Sequence, residues 1–330
     1  MGMSQKVTPS TGSLIERAAE IYDFRAAVRA PVVAAACPQE PLGLSLSKPS
    51  LSSAEVAQEK DSPLRPAASG SRSGQASTSS GRTAFAGPLV PVDRNRLRES
   101  GFIVPDAAPG SLAEEFRIVK RQLLLNASGA ASGKPLERGR MILVCSAQPN
   151  DGKTFCAVNL ALSLASERDT EVLLVDADVA KPEILSTLGI EGGPGLMDAL
   201  ADPSIDVESL IIRTDIPKLS VLAAGRQANN DTEMLASART KAVLDGLADN
   251  HPSRIIIFDS APALAASPAS VLALNVGQVM MVVRADRTTE SELRDALALV
   301  DGCPNISLLL NGSSYFGGNH SFGSYYGQGV

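Results

Sequence analysis

The sequence contains no tryptophan, and aromatic residues make up only 4% of its 330 residues. Four cysteines in a chain of this length do not make a disulfide scaffold. No apolar run approaches the roughly 20 residues that cross a bilayer, and residues 1–15 lack the pattern of a secretory signal. The net charge of −6 argues against a nucleic-acid-binding surface. We therefore expect a cytoplasmic protein that has no nucleic-acid partner.

The few tyrosines are concentrated at one end of the chain. Three of the four, Tyr315, Tyr325 and Tyr326, lie in the last sixteen residues, among glycines and serines. A residue type that usually contributes to protein cores is therefore placed where there is little to bury. The composition predicts that residues 313–330 form a flexible, tyrosine-containing tail.

Composition divides the rest of the chain into three segments. Residues 1–30 contain one short amphipathic helix, predicted at 13–28. Residues 31–91 are rich in Pro, Ser, Ala and Gly, and they bury too little to offset the entropy of ordering, which predicts a disordered linker. Residues 92–312 then form the folded domain.

Short apolar runs alternate with helical segments beyond residue 139. The predicted strands are 141–145, 172–177, 219–224, 254–259, 279–283 and 306–310. The predicted helices are 153–167, about 195–201, 233–249, about 268–275 and 288–301. This alternation predicts an α/β fold, a mostly parallel sheet with helices on both faces. Ligands of such sheets bind at the carboxyl ends of the strands.

A longer helix precedes the first strand. Ser111 is its predicted N-cap, Glu114 completes a capping box, and Gly129 ends it.

The first strand is followed by the segment SAQPNDGKT, residues 146–154, and then by a helix. A strand, a loop ending in Gly-Lys-Thr and a helix follow one another in phosphate-binding loops. The first glycine of the usual motif is replaced here by Ala147. Lys153 is predicted to reach the β- and γ-phosphates of a nucleotide, and Thr154 to hold Mg²⁺. The predicted nucleotide-binding residues of the loop are Asn150, Asp151, Gly152, Lys153, Thr154 and Phe155.

Acidic residues end two further strands. Asp176 and Asp178 follow the second apolar run, and Asp259 follows the run RIIIF. Carboxylates at these strand ends suit Mg²⁺ coordination beside a triphosphate. A solvated strand end remains the alternative for the Asp176 and Asp178 pair.

With these motifs in place, the sequence resembles the bacterial tyrosine kinases of polysaccharide export. It is most similar to the autokinases encoded with exosortase (PEP-CTERM) loci. The resemblance rests on SAQPNDGKT, VLLVDADVAKP, IIIFDSAP and the preceding helix EEFRIVKRQLL. It implies a phosphate-loop NTPase fold, ATP and Mg²⁺ as cofactors, and phosphoryl transfer to tyrosine. It also implies a ring-like or head-to-tail homo-oligomer.

The resemblance also implies roles for individual residues. Lys153, Asp176 and Asp178 would be catalytic, with one of the two aspartates activating the tyrosine hydroxyl. The implied metal ligands are Thr154, Asp176, Asp178 and Asp259, and Asn311 would contact the adenine. Glu114, Arg117 and Lys120 would form the subunit contact. The implied phosphoacceptors, in a neighbouring subunit, are Tyr325, Tyr326 and Tyr315.

The implied setting is the control of exopolysaccharide synthesis and export. The partners would be a separate membrane co-polymerase (chain-length determinant), which recruits the kinase to the inner face of the membrane, and a tyrosine phosphatase.

Departures from the family pattern keep two alternatives open. Asn150 and Asp151 occupy loop positions usually held by Gly and Glu, and Lys120 replaces an arginine. One alternative is a regulatory ATPase of the partition or septum-placement type. Those proteins usually carry a second lysine early in the loop, which 147–149 lack. The other alternative is a catalytically weak, ATP-sensing scaffold for the membrane co-polymerase.

Overall fold

The computed structural model describes residues 88–130, 133–228 and 230–313. The predicted N-terminal helix at 13–28, most of the predicted linker and the three tail tyrosines lie outside these residues. Val90 lies in a β-bridge with Thr214, and its N–H donates to the carbonyl of Arg213. This contact involves a residue two positions before the predicted boundary at residue 92.

Within the described residues, seven strands form one sheet, in the order β3-β4-β2-β5-β1-β6-β7. The strands are β1 (Met141–Ser146), β2 (Glu171–Ala177), β3 (Ile212–Arg213), β4 (Leu219–Leu222), β5 (Arg254–Ser260), β6 (Gln278–Arg284) and β7 (Ile306–Asn311). All neighbouring strands pair in parallel except β3 with β4. The six predicted strands are confirmed. The edge strand β3 was missed because it is only two residues long and one of them is Arg213.

Helices cover both faces of this sheet, as predicted. They are α1 (Arg94–Glu99), α2 (Ser111–Ser128), α3 (Lys153–Ala165), α4 (Ile184–Leu188), α5 (Leu196–Ala201), α6 (Asp231–Leu235), α7 (Ala238–Asp249), α8 (Pro268–Ala273) and α9 (Glu290–Leu299). A 3₁₀ turn covers Val207–Leu210. Helices α1 to α4 pack on one face and α5 to α9 on the other. No described helix has the length and apolarity that a bilayer span requires.

The two cores explain the uninterrupted apolar strands. Every residue of β1 is buried, and neighbouring side chains point to opposite faces: Leu143 joins the core beneath α7 and α8, while Val144 joins the core beneath α2 and α3. A strand covered on both faces has no polar side, so its sequence cannot alternate.

Two predictions of helix boundaries are wrong. Ser111 is the first residue of α2 and Gly110 is its N-cap, with no side-chain cap, so the predicted capping box does not form. The predicted helix at 233–249 is two helices, because the Ser237 side chain accepts a hydrogen bond from the Thr240 N–H and starts α7 anew. Gly129 ends α2 in the left-handed conformation, as predicted.

Candidate nucleotide site

The phosphate loop lies between the end of β1 and the start of α3, as the sequence predicts. Asn150 and Gly152 both have positive φ angles, 65° and 96°, and these turn the chain back so that α3 begins at Lys153. The absence of a side chain at Gly152 lets the Asn311 side chain lie against the loop, because a Cβ at Gly152 would lie 2.1 Å from Nδ2 of Asn311. The free N–H groups and the positive dipole end of α3 face the loop, an arrangement suited to binding phosphate.

Hydrogen bonds from inside and outside the loop hold its shape. Oδ2 of Asp151 accepts from the Gln148 N–H at 3.0 Å, and Nδ2 of Asn311 donates to the Asp151 carbonyl at 2.8 Å. Asp151 is buried, so this carboxylate closes the loop from within. Asn311 does lie at the nucleotide end of the sheet, but its amide nitrogen is already engaged in supporting the loop.

Lys153 is buried and forms an ion pair across the site. Its Nζ lies 2.9 Å from Oδ2 of Asp178, which is also buried. Burial acts to lower the pKa of Lys153, but the charge of Asp259 and the hydrogen bond to Asp178 outweigh it and raise the pKa. The lysine therefore stays charged, close to where phosphate oxygens would sit.

The structure separates the roles of the two aspartates that end β2. Oδ2 of Asp176 accepts from the Ile184 N–H at 3.0 Å, and Oδ1 lies 3.3 Å from the Asp178 nitrogen. Asp176 thus ties the turn after β2 to the start of α4. Burial raises the pKa of Asp176 to about 7, against these two backbone hydrogen bonds. Asp178, not Asp176, contacts the lysine of the phosphate loop.

Asp259 is fully buried at the end of β5, with neither carboxylate oxygen accepting a well-formed hydrogen bond from the described residues. Burial raises its pKa to about 7, opposed by the charge of Lys153 and the nearby Thr154 hydroxyl. Unpartnered buried carboxylate oxygens next to a threonine hydroxyl fit a cation or its bound water. Among the described residues, no three acidic, cysteine or histidine side chains form a ready metal cluster. A cation here would therefore also need hydroxyl, water or phosphate oxygens as ligands.

The side chain of Phe155 makes a packing contact. Its ring lies 4.9 Å, centroid to centroid, from the ring of Phe102, and the neighbouring Ile103 N–H donates to Oδ1 of Asn159. The segment before α2 is thus fastened to the first turns of α3. A contact of Phe155 with nucleotide stays a prediction.

The three residues of the predicted subunit contact differ in their exposure and in their partners. Arg117 and Glu114 pair with each other at 2.6 Å on the outside of α2. Lys120 is buried instead: its Nζ donates to the Ser163 carbonyl at 2.9 Å and lies 2.8 Å from Oε1 of Glu167. Within this chain the helical period turns Lys120 towards the end of α3. Its part in a subunit contact stays a prediction.

One loop contact has no counterpart in the sequence predictions. Oε1 of Glu292, in the first turn of α9, accepts a hydrogen bond from the side-chain amide of Gln148 at 3.1 Å. The sequence does show a Thr-x-x-Glu capping box at 289–292. It does not show that the box lies against the phosphate loop.

Comparison with known proteins supplies a family relationship. No protein-family model matches the chain. The chain is 29% identical over 193 residues to the putative tyrosine-protein kinase EpsB of Ralstonia solanacearum, covering 57% of this chain and 25% of that one. It is 27% identical over 190 residues to the tyrosine-protein kinase YwqD of Bacillus subtilis, covering 57% and 78%. The chain is a homologue of bacterial tyrosine-protein kinases.

The solved structures agree with this relationship. The BceF tyrosine kinase domain superimposes with a TM-score of 0.53 at 26% identity, covering 67% of this chain and 90% of that one. The predicted phosphate-loop NTPase fold is confirmed. The chain spans only about a fifth to a quarter of the length of the first curated relatives that it matches. The similarity therefore covers the kinase region and not the whole of those proteins.

Proposed function

We propose that this homologue of the tyrosine-protein kinases is an ATP- and Mg²⁺-dependent protein tyrosine autokinase that regulates exopolysaccharide synthesis and export. The observation that carries the proposal is the Lys153–Asp178 ion pair at the mouth of the phosphate loop. Beside it lies Asp259, whose carboxylate oxygens lack partners. The names of the relatives support phosphoryl transfer over a purely regulatory ATPase.

Each residue of the site has a role in this proposal. The loop amides and Lys153 bind the phosphates, and Gly152 allows their close approach. Thr154 and Asp259 hold Mg²⁺, which neutralises charge on the phosphate oxygens when it is bound. When Lys153 turns to a phosphate oxygen, Oδ2 of Asp178 is released and is free to accept the proton of a tyrosine hydroxyl.

The proposed acceptors are Tyr325 and Tyr326, with Tyr315 as a third, in a neighbouring subunit of a homo-oligomer. β7 ends at Asn311, which is hydrogen-bonded to the phosphate loop. The chain therefore leaves the domain at the nucleotide end of the sheet. Tethering raises the effective concentration of acceptor tyrosines, to about the millimolar range for short flexible linkers.

The proposed setting is the one that the sequence resemblance implies. A separate membrane co-polymerase recruits the kinase to the inner face of the membrane, and a tyrosine phosphatase resets it. Association with an exosortase locus belongs to the same proposal.

The test is incubation of the purified full chain with ATP and Mg²⁺, followed by mass-spectrometric mapping of phosphotyrosine. We expect phosphate on Tyr325 or Tyr326, and none in Lys153→Met. ATP binding without any phosphotyrosine would reject autokinase activity and favour an ATP-sensing scaffold.

A further inference from the structure

The first half of the phosphate loop is tethered by a residue from a distant part of the sequence. Glu292 lies 144 positions after Gln148, yet Oε1 of Glu292 accepts from Nε2 of Gln148 at 3.1 Å. A carboxylate only accepts hydrogen bonds, so this contact fixes which end of the Gln148 amide faces α9.

The carboxylate of Glu292 is itself held in place. Its Oε2 accepts from both the backbone N–H and the hydroxyl of Thr289, each at 2.8 Å. The bond from the Thr289 N–H, together with the bond from the Glu292 N–H to the Thr289 hydroxyl, forms the capping box of α9. Oε1 is left directed to the loop. The same contacts, from Thr289 first and then from Gln148, lower the pKa of Glu292, so it is ionised at neutral pH.

Gln148 transmits this restraint into the loop. Its backbone N–H donates to Oδ2 of the buried Asp151 at 3.0 Å, and its carbonyl accepts from the Ser146 hydroxyl at 2.8 Å. Holding the Gln148 side chain therefore fixes the peptide on which the internal turn of the loop depends. Asn311 holds the other half of the loop, through the Asp151 carbonyl.

A neighbouring glutamate shows that this arrangement is specific to one position. Glu290 lies in the same first turn of α9, but it is exposed and pairs with Arg294 at 2.7 Å, along its own helix. Both residues supply negative charge to the start of α9, but among these two only Glu292 contacts the loop. Glu290 is therefore a matched control.

We propose that Glu292 is a positioning residue of the phosphate loop, acting through Gln148 to hold the loop in the shape that binds nucleotide. The inference rests on the proposed function in one respect, that the loop binds ATP. When the loop is already ordered, ATP binding does not have to offset the entropy of ordering it. We therefore expect Glu292 to affect the affinity for ATP and not the rate of the chemical step.

The experiment measures ATP dissociation constants and thermal unfolding for the full chain and for Glu292→Ala, Gln148→Ala, the double variant and Glu290→Ala. The hydrogen bond between Gln148 and Glu292 is only partly buried, so we give its loss the value of an ordinary hydrogen bond. This predicts that Glu292→Ala and Gln148→Ala each bind ATP about 3- to 10-fold more weakly. The double variant should bind no more weakly than Gln148→Ala alone, because the two residues act in series. Glu290→Ala should bind ATP like the wild type.

A conservative variant separates positioning from simple destabilisation. Glu292→Gln has a single acceptor oxygen, which can serve either Gln148 or the Thr289 N–H but not both. Its ATP affinity should therefore lie between those of the wild type and Glu292→Ala, with a Tm close to that of the wild type. In the kinase assay, Glu292→Ala should raise KM for ATP while kcat at saturating ATP falls much less. Unchanged ATP affinity in Glu292→Ala, or effects that multiply in the double variant, would overturn the inference. A wild-type chain that binds no ATP would instead reject the proposed function, and this inference with it.

Discussion

Nζ of Lys153, the first residue of the phosphate-loop helix, lies 2.9 Å from Oδ2 of Asp178, just beyond the second strand. Both side chains are buried, and neither charge is tolerable there without the other. Replacing Asp178 as the partner of Lys153 therefore requires another anion, and a phosphate group is such an anion.

The two aspartates that end β2 should differ when mutated. Asp178→Asn should slow tyrosine phosphorylation at least about tenfold, the lower end of the range for a general base. It should also lower Tm without nucleotide, because the buried Lys153 loses its ion-pair partner. Asp176→Ala should lower Tm by several degrees, because two backbone N–H groups lose their acceptor, at about 1–3 kcal/mol for a buried unsatisfied group. Calorimetry without nucleotide and a phosphorylation assay measure the two effects. A stable Asp176→Ala protein would contradict the anchoring role.

Asp259 makes the apo protein less stable as the pH rises. The pKa of Asp259 is 3.8 when unperturbed and about 7 in the folded chain, where burial disfavours the charge. Between these values the folded state keeps a proton that the unfolded state has lost, so the free energy of unfolding falls as the pH rises.

Asp259→Asn removes this penalty. Without Mg²⁺ or nucleotide, its Tm should exceed that of the wild type at about pH 8, by roughly 2–4 °C per kcal/mol relieved, and the difference should vanish near pH 4. The same variant should lose Mg²⁺-dependent ATP binding. Equal Tm values across this pH range would show that Asp259 does not titrate as described.

Gly152 should not tolerate a side chain. Its φ is 96°, and a Cβ would lie 2.1 Å from Nδ2 of Asn311, so Gly152→Ala must displace the Asn311 amide or the loop. We expect loss of ATP binding and a destabilisation of about 1–3 kcal/mol from backbone strain. Gly246→Ala is the control, since that glycine lies within α7 and a Cβ there meets nothing within 4 Å. ATP titration and thermal unfolding of the two variants provide the comparison.

Lys120 should matter for stability, and Arg117 for association. Lys120→Met removes the contacts with the Ser163 carbonyl, the Ser166 hydroxyl and Glu167, so we expect a loss of about 1–3 kcal/mol. Arg117→Ala should leave Tm unchanged, because its only described partner is the exposed Glu114, and should weaken the oligomer. Sedimentation and thermal unfolding distinguish the two. If Lys120→Met keeps its Tm but no longer associates, Lys120 is part of the subunit contact and does not stabilise the fold of its own chain.

Local patterns were enough to predict most of the fold and part of the site. The apolar runs predicted six of the seven described strands, because the strands buried on both faces are apolar except near their ends. The Gly-Lys-Thr sequence after the first run located the phosphate loop, because strand, loop and helix follow one another along the chain. The error at Ser111 is a shift of one residue at a helix boundary. The contacts that local patterns could not predict join distant segments, as when Lys120 meets the end of α3, because residue type and short-range spacing do not set them.

By itself, the sequence determined that this is an acidic α/β domain with a phosphate loop and carboxylates at two strand ends. These features follow from backbone periodicity and from the few residue types that suit phosphate and Mg²⁺. The tertiary structure alone decided how equivalent-looking residues divide their roles: Asp178 faces Lys153 while Asp176 holds a turn, and Glu292 contacts the loop while Glu290 faces solvent. The physical reason is that hydrogen bonding and burial depend on which atoms meet in space, and strand order and helix orientation set that only after the chain has folded.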